Sequence, residues 1–338
     1  MLHSHVSRRE FMGQKVKPCD ERRLHSHVSR REFMGASLGA MATAVGLAGC
    51  AGTSSASQSA SATQASGSDT ATTSAEPKPV ILVVSFGTSY ASSRHVTIGA
   101  IESDIREAFP TYDVRRAFTA QTIIDHIQKD TGRHIDNFKE AMDKIVAEGV
   151  KRVIVQPTHL MDGFEYQDIV KELEDYKSKL DAVAVGAPLL TTAEDRVAVI
   201  EAIHDAMGRY EDDKTAICLM GHGTEAESNS VYATLQQELV NKGYKNYFVA
   251  TVEATPTFAD AVKAAKDAGY TKAVLRPLMV VAGDHATNDM ADTSDPESFA
   301  SLMIAAGFEV TSILEGLGQI VGVDEVYVSH VKAAIDSL

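Results

Sequence analysis

The chain has 338 residues, 44% of them hydrophobic, enough to bury the core of one large domain or of two similar halves. Its formal charge is −14, and the first fifty residues hold 8 of the 32 Lys/Arg but only 4 of the 46 Asp/Glu, so the remainder is more acidic still. Such a surface argues against nucleic acid as a partner. Cys19, Cys50 and Cys218 are too few and too scattered for a disulfide framework or a thiolate zinc site, and Cys218, inside the apolar run 216–220, reads as a buried thiol.

In chain order, Ser29-Arg30-Arg31-Glu32-Phe33-Met34 sets a twin arginine ahead of the uncharged small-residue stretch 36–48, the order of a Tat-type export signal. The stretch closes with Leu47-Ala48-Gly49-Cys50, which resembles a bacterial lipobox. Residues 1–50 are therefore expected to be a lipoprotein signal peptide. Cys50 becomes the lipidated first residue of the mature chain, anchored in a membrane and facing the periplasm or the cell exterior. A plain cleaved signal with an incidental Cys50 is the alternative, and the apolar run is too short to span a bilayer in either case. Residues 2–13 recur as 24–35, so His3, His5, His25 and His27 belong to a duplicated, discarded segment. Residues 51–76 are almost wholly Ser, Thr, Ala, Gln and Gly and cannot bury enough apolar area to offset chain entropy. Residues 51–77 are thus expected to form a disordered linker.

From Pro79 the pattern alternates. A continuous apolar strand at 80–85 precedes a helix in which Ile98, Ile101, Ile105 and Phe109 repeat every three to four residues until Pro110 stops it. Further strands are expected at 152–156, 183–186, 216–220, 247–252, 273–276 and 309–313, with amphipathic helices such as 166–180 and 258–268 between them. Strands buried on both faces read as unbroken apolar runs, so the class is α/β, with mainly parallel sheets flanked by helices.

The chain also repeats itself. Gln156-Pro157 through Gly163 parallels Arg276-Pro277 through Gly283, and the strand before Gly87-Thr88 parallels the one before Gly223-Thr224. This alignment sets Phe86 in the place of His222 and Glu165 in the place of His285. Two Rossmann-like half-domains follow, at 78–205 and 206–338, with the chemistry kept by the second and a cleft between them.

Three potential ligands fall just past second-half strand ends: His222, Glu253 and His285, spaced 31 and 32 residues apart. Each interval is about one strand-helix-strand unit, so a parallel sheet brings the three to one edge, where open α/β sheets bind ligands. Two imidazoles and a carboxylate suit a borderline divalent ion such as Co2+, Fe2+, Ni2+ or Zn2+. Three protein donors leave coordination positions open, as a site that passes its metal onward requires. Taken singly, each residue has a plainer role, a hydrogen-bonding loop histidine or a helix N-terminal charge.

At these residues the chain resembles the anaerobic sirohydrochlorin cobaltochelatases of the CbiK type, relatives of the class II chelatases and protoporphyrin ferrochelatases. The resemblance runs across nearly all of 79–338. It is carried by Val83-Val84-Ser85-Phe86-Gly87-Thr88-Ser89-Tyr90, Arg116-Ala117-Phe118-Thr119, Met220-Gly221-His222-Gly223, Val252-Glu253, and Pro277-Leu278-Met279-Val280-Val281-Ala282-Gly283-Asp284-His285-Ala286 with Asn288-Asp289-Met290. It implies that His222, Glu253 and His285 are the catalytic residues and bind the metal, with one histidine, His222 by preference, as base for the pyrrole N–H groups. It further implies that Co2+, or Fe2+, is the substrate metal and sirohydrochlorin or a related tetrapyrrole the second substrate. No nucleotide is needed, and no G-x-x-x-x-G-K-[ST] loop is present.

Ser85, Phe86, Tyr90, His159 and Glu165 are expected to line the tetrapyrrole cleft of the first half, the plainer role for His159 being a hydrogen bond to backbone. Some exported members of the family bind haem as oligomers, which adds a non-catalytic haem and a homo-oligomer to the expectations. Sirohydrochlorin bears eight carboxylates, for which Arg94, Arg115, Arg116 and Arg276 are candidate partners. His95, His126, His134, His204 and His330 carry no pattern beyond surface or packing roles. The rival reading is an exported, non-catalytic lipoprotein that uses the same cleft to hold haem or a metal ion.

Overall fold

The computed structural model describes residues 76–338; the expected signal peptide, the repeated segment, Cys50 and nearly all of the expected linker lie outside the described residues. The first four strands are β1 (Val80–Ser85), β2 (Asp113–Phe118), β3 (Arg152–Pro157) and β4 (Ala182–Val185), forming one parallel sheet in the order β2-β1-β3-β4. The next four, β5 (Thr215–Gly221), β6 (Tyr247–Thr251), β7 (Lys272–Pro277) and β8 (Glu309–Ser312), repeat that order as β6-β5-β7-β8, again all parallel. Every strand expected from the apolar pattern is present, most of them within one residue of the expected ends.

Strand β2 escaped the pattern. Its sequence, Asp-Val-Arg-Arg-Ala-Phe, puts two arginines in mid-strand, and it lies at the sheet edge, where polar residues are tolerated. Arg115 is held by Asp113 at 2.8 Å and Glu148 at 2.6 Å, while Arg116 makes a forked pair with Glu102 at 2.5 and 2.7 Å.

Alternation along the central strands divides the core. On β1, Ile81 and Val83 point into a core shared with the second half, whereas Val80, Leu82 and Val84 pack against helices on the outer face. On β5, Ile217 and Leu219 join the shared core, and Ala216, Cys218 and Met220 pack outward, which accounts for the buried Cys218 thiol. Both central strands are covered on two faces, the condition that makes them apolar throughout.

The helices begin where the sequence supplies caps. Asn137 and Glu140 close a capping box on the helix Phe138–Ala147, and Thr257 with Asp260 does the same for Phe258–Asp267. The helix expected at 166–180 runs Phe164–Lys177, starting two residues earlier.

The last helix, Val321–Asp336, follows the second sheet in sequence yet packs on the first-half helices Ile98–Ala108 and Ala193–Met207 and on β3. Tyr327, fully buried, donates its hydroxyl to the Thr158 carbonyl at 2.8 Å. His330 is also buried, with Nδ1 donating to the Ala187 carbonyl at 3.0 Å and Nε2 set 3.0 Å from Asp195. This helix therefore ties the end of the chain to the strand end that carries His159. Replacing Tyr327 by Phe should strand a buried carbonyl and lower the unfolding free energy by about 1–2 kcal/mol, read from urea denaturation.

Candidate active site

The duplication can be aligned by main-chain register. Val84 pairs with Pro157 and Met220 with Pro277, so these pairs are equivalent between the halves. Beyond them, Thr158 N–H donates to the Val84 carbonyl and Leu278 N–H to that of Met220. Thr119 N–H donates to Ser85 and Val252 N–H to Gly221; Ala120 N–H then reaches Phe86, and Glu253 N–H reaches His222. Phe86 is thus the counterpart of His222, and Ala120 the counterpart of Glu253, a match that the residues alone do not suggest. Counting eight residues on from each proline sets Glu165 against His285. One architecture carries Phe86, Ala120 and Glu165 in one half and His222, Glu253 and His285 in the other.

Glycine makes both turns possible. Gly87 and Gly223 sit at φ of 103° and 88°, and a Cβ would lie 2.6 Å from the Phe118 ring and 2.8 Å from the Ala254 Cβ, respectively. Only glycine enters that conformation at little cost, and here it has no room for a side chain either.

The second-half turns bring the ligand candidates together. His222 Nδ1–H donates to the Gly223 carbonyl at 2.8 Å, which fixes the tautomer and leaves Nε2 with a free lone pair. That nitrogen lies 3.9 Å from Glu253 Oε2. The His222 and His285 rings meet edge to face, with centroids 4.6 Å apart at 80°. His285 Nδ1–H donates to Asp289 Oδ2 at 2.8 Å, so its Nε2 is bare as well. A carboxylate behind an imidazole orients the ring. Asp289 stands on the single π-turn Ala286–Met290, four residues past His285. The sequence carries this spacing, but without the turn nothing marks Asp289 as the partner of His285.

His222, Glu253 and His285 border one cleft, but their donor atoms do not all fall within 4.8 Å of one another. His222 Nε2 and Glu253 Oε2 do lie that close, at 3.9 Å, and the Glu253 side chain is 61% exposed. The metal-capable group among the described residues that does meet the distance is His134, Asp136 and Glu140, on the surface. It is already engaged: Lys144 contacts both Asp136 oxygens at 2.6 and 2.8 Å, and Glu140 accepts from the Asn137 N–H at 3.0 Å.

The cleft has a volume of about 530 Å3 and lies between the carboxyl ends of the two sheets. From the first half, Ser85, Phe86, Tyr90, His159 and Glu165 all line it. Ser85 is buried and accepts a hydrogen bond from the Thr158 hydroxyl at 2.8 Å, so it braces the wall from beneath. Phe86, Tyr90 and Phe164 are 51%, 38% and 55% exposed, an open aromatic surface inside a concave site. Phe164 carries no sequence signal; its position at the start of the helix Phe164–Lys177 places it in the cleft lining.

The four candidate arginines are elsewhere. Arg115 and Arg116 are spent on the acidic partners described above, Arg94 donates to the Thr88 carbonyl at 2.7 Å, and Arg276 is buried with Gly316 and Glu315 as neighbours. The cleft lining contains neither lysine nor arginine.

His159, a partly buried residue, differs from the buried His330. Both of its ring nitrogens are shielded from solvent and have no hydrogen-bond partner, whereas both nitrogens of His330 are engaged. Burial lowers the His159 pKa to about 4, with the Glu165 charge pulling weakly the other way, so the ring is neutral. Dry, unpaired nitrogens of this kind cost on the order of 1–3 kcal/mol each.

Comparison with known proteins places this arrangement. The family model described as cobalt chelatase (CbiK) matches residues 79–336. A sirohydrochlorin cobaltochelatase from Salmonella typhimurium strain LT2 is 34% identical over 259 residues, spanning 77% of this chain and 97% of that protein. The sirohydrochlorin cobaltochelatase CbiKC of Nitratidesulfovibrio vulgaris strain Hildenborough is 32% identical over 265 residues, spanning 77% and 92%. Among solved structures, SirB from Bacillus subtilis with Fe3+ superimposes with a TM-score of 0.54 at 14% identity, covering 77% of this chain and 97% of that one, a likeness of fold alone.

Two outcomes follow from the site. Asp289→Ala should weaken Co2+ binding by roughly 10–100-fold in a calorimetric titration, because the His285 ring loses its orienting carboxylate. The depressed His159 pKa means that the unfolded chain binds a proton between about pH 6.5 and 4 that the folded chain refuses, so stability falls as pH drops through that window. His159→Gln should flatten the loss, on the order of 3 kcal/mol, in urea unfolding measured across that range.

Proposed function

Because the chain belongs to the cobalt chelatase (CbiK) family, we propose that it inserts Co2+ into sirohydrochlorin without a nucleotide. The observation that carries this reading is the pair of bare imidazole nitrogens, on His222 and His285, beside the Glu253 carboxylate in one open cleft. The ion is substrate, held by these three side chains with coordination positions free, so that it can leave for the ring. Phe86, Tyr90 and Phe164 offer flat apolar surface to the macrocycle. With neither lysine nor arginine lining the cleft, the substrate carboxylates project to solvent or to main-chain N–H groups. As the ion moves into the ring, His222 Nε2 recovers its lone pair and accepts a pyrrole proton.

Fe2+ suits the same borderline donors and is the second metal of this proposal. Haem held without turnover, in a homo-oligomer, would extend the use of the aromatic cleft. The carrier reading finds no support in the two cobaltochelatase relatives. We also propose that the chain is exported through the twin-arginine signal and anchored through Cys50, a reading supported by the Arg30-Arg31 pair and by Leu47-Ala48-Gly49-Cys50.

The test mixes the full chain with sirohydrochlorin and Co2+, then Fe2+, under anaerobic conditions and follows the absorbance change. The His222→Ala, His285→Ala double variant should lose more than ~100-fold in rate. Equal rates for wild type and double variant would remove the assignment. Mass spectrometry of the membrane fraction should find a lipid on Cys50; an unmodified, soluble mature form would contradict the anchor.

A further inference from the structure

Metallation of a tetrapyrrole replaces two N–H protons by one divalent ion, so two bases are needed at the moment of transfer. The two histidine ligands cannot supply both while they hold the ion. While His222 and His285 hold the ion through Nε2, those lone pairs are committed, and each Nδ1 already carries a proton donated to Gly223 or Asp289. All three ligands stand on the wall built by the second half.

On the first-half wall, His159 has what they lack. It follows β3 directly, and its main chain is locked: Thr158 N–H donates to Val84 at 2.8 Å, the Thr158 carbonyl accepts from Tyr327 at 2.8 Å, and the His159 carbonyl accepts from Leu189 at 2.9 Å. The backbone is fixed while the ring, lining the cleft, is bonded to nothing. A histidine present only for packing would be expected to have found partners, as His330 has on Ala187 and Asp195. Glu165 also lines the cleft and is the acidic group whose charge acts on the His159 ring.

We propose that His159 is a second catalytic base, taking a pyrrole proton at the macrocycle face turned toward the first half while the ion enters from the side of His222, Glu253 and His285. This rests on the chelatase reading above. One N–H bond breaks, the pyrrole nitrogen keeps the electron pair and donates it to Co2+, and the proton bonds to the unprotonated nitrogen of His159 once the ring, held by no hydrogen bond, has turned that shielded nitrogen toward the macrocycle. The other proton goes to His222 once its Nε2 is released from the ion. Charge balances, since one Co2+ enters as two protons leave. Because the ring is neutral when the cleft is empty, its lone pair is available at physiological pH. Metal coordination acidifies the pyrrole N–H, and Glu165 together with the substrate carboxylates stabilises the imidazolium that forms before its proton passes to water.

The experiment measures steady-state Co2+ insertion by the full chain and its His159→Gln variant, with Co2+ affinity determined separately by calorimetry. The expected result is a kcat lower by roughly 100-fold, with KM for sirohydrochlorin and Co2+ affinity within about threefold of wild type. A kcat close to wild type, or a loss confined to KM or to Co2+ binding, would overturn the proposal. Should the Gln variant unfold, as its thermal midpoint would reveal, His159→Asn carries the same comparison. A wild type without turnover would remove the chelatase reading itself, an outcome distinct from a silent variant beside an active parent.

Discussion

Parallel register is the constraint on which the rest depends. Because β5 pairs with β6 on one side and β7 on the other, all three strands end at one edge, and the turns that leave them must face one another. The hydrogen bond from Glu253 N–H to the His222 carbonyl, at 2.9 Å, is the last rung of that ladder and sets the carboxylate beside the imidazole. Residues 31 and 32 positions apart thus share a cleft without any local motif to hold them. A register slip of one residue would turn each of them to the other face.

The same register, drawn twice, divides the labour between the halves. At the three equivalent positions the second half carries two imidazoles and a carboxylate, and the first carries Phe86, Ala120 and Glu165. The second wall can therefore hold an ion, while the first presents aromatic surface and an unpartnered imidazole. The final helix, Val321–Asp336, keeps the two walls in one structure by packing on the first half after the chain has completed the second sheet.

Electrostatics at the cleft follows from how the basic residues are used. Arg115, Arg116 and Arg276 are taken up by acidic or carbonyl partners in strands and core, and Arg94 braces the loop at Thr88. The lining is acidic and imidazole-rich, a setting that attracts a divalent cation and leaves an anionic macrocycle to be held by its flat apolar face.

From its sequence alone this chain declared an α/β architecture, seven of the eight strands among the described residues, the duplication and the three ligand candidates, because unbroken apolar runs and Gly or Pro at strand ends are local signals. β2 was hidden since mid-strand arginines erase the apolar run, and a sheet edge satisfied by Glu102, Glu148 and Asp113 needs none. Only the tertiary structure could show that Asp289 orients His285, that Ala120 stands opposite Glu253, that the four arginines are spent elsewhere, and that His159 lacks the partner His330 has. Each of these depends on what lies within a few ångströms in space, and chain order carries no record of which distant groups have already found one another.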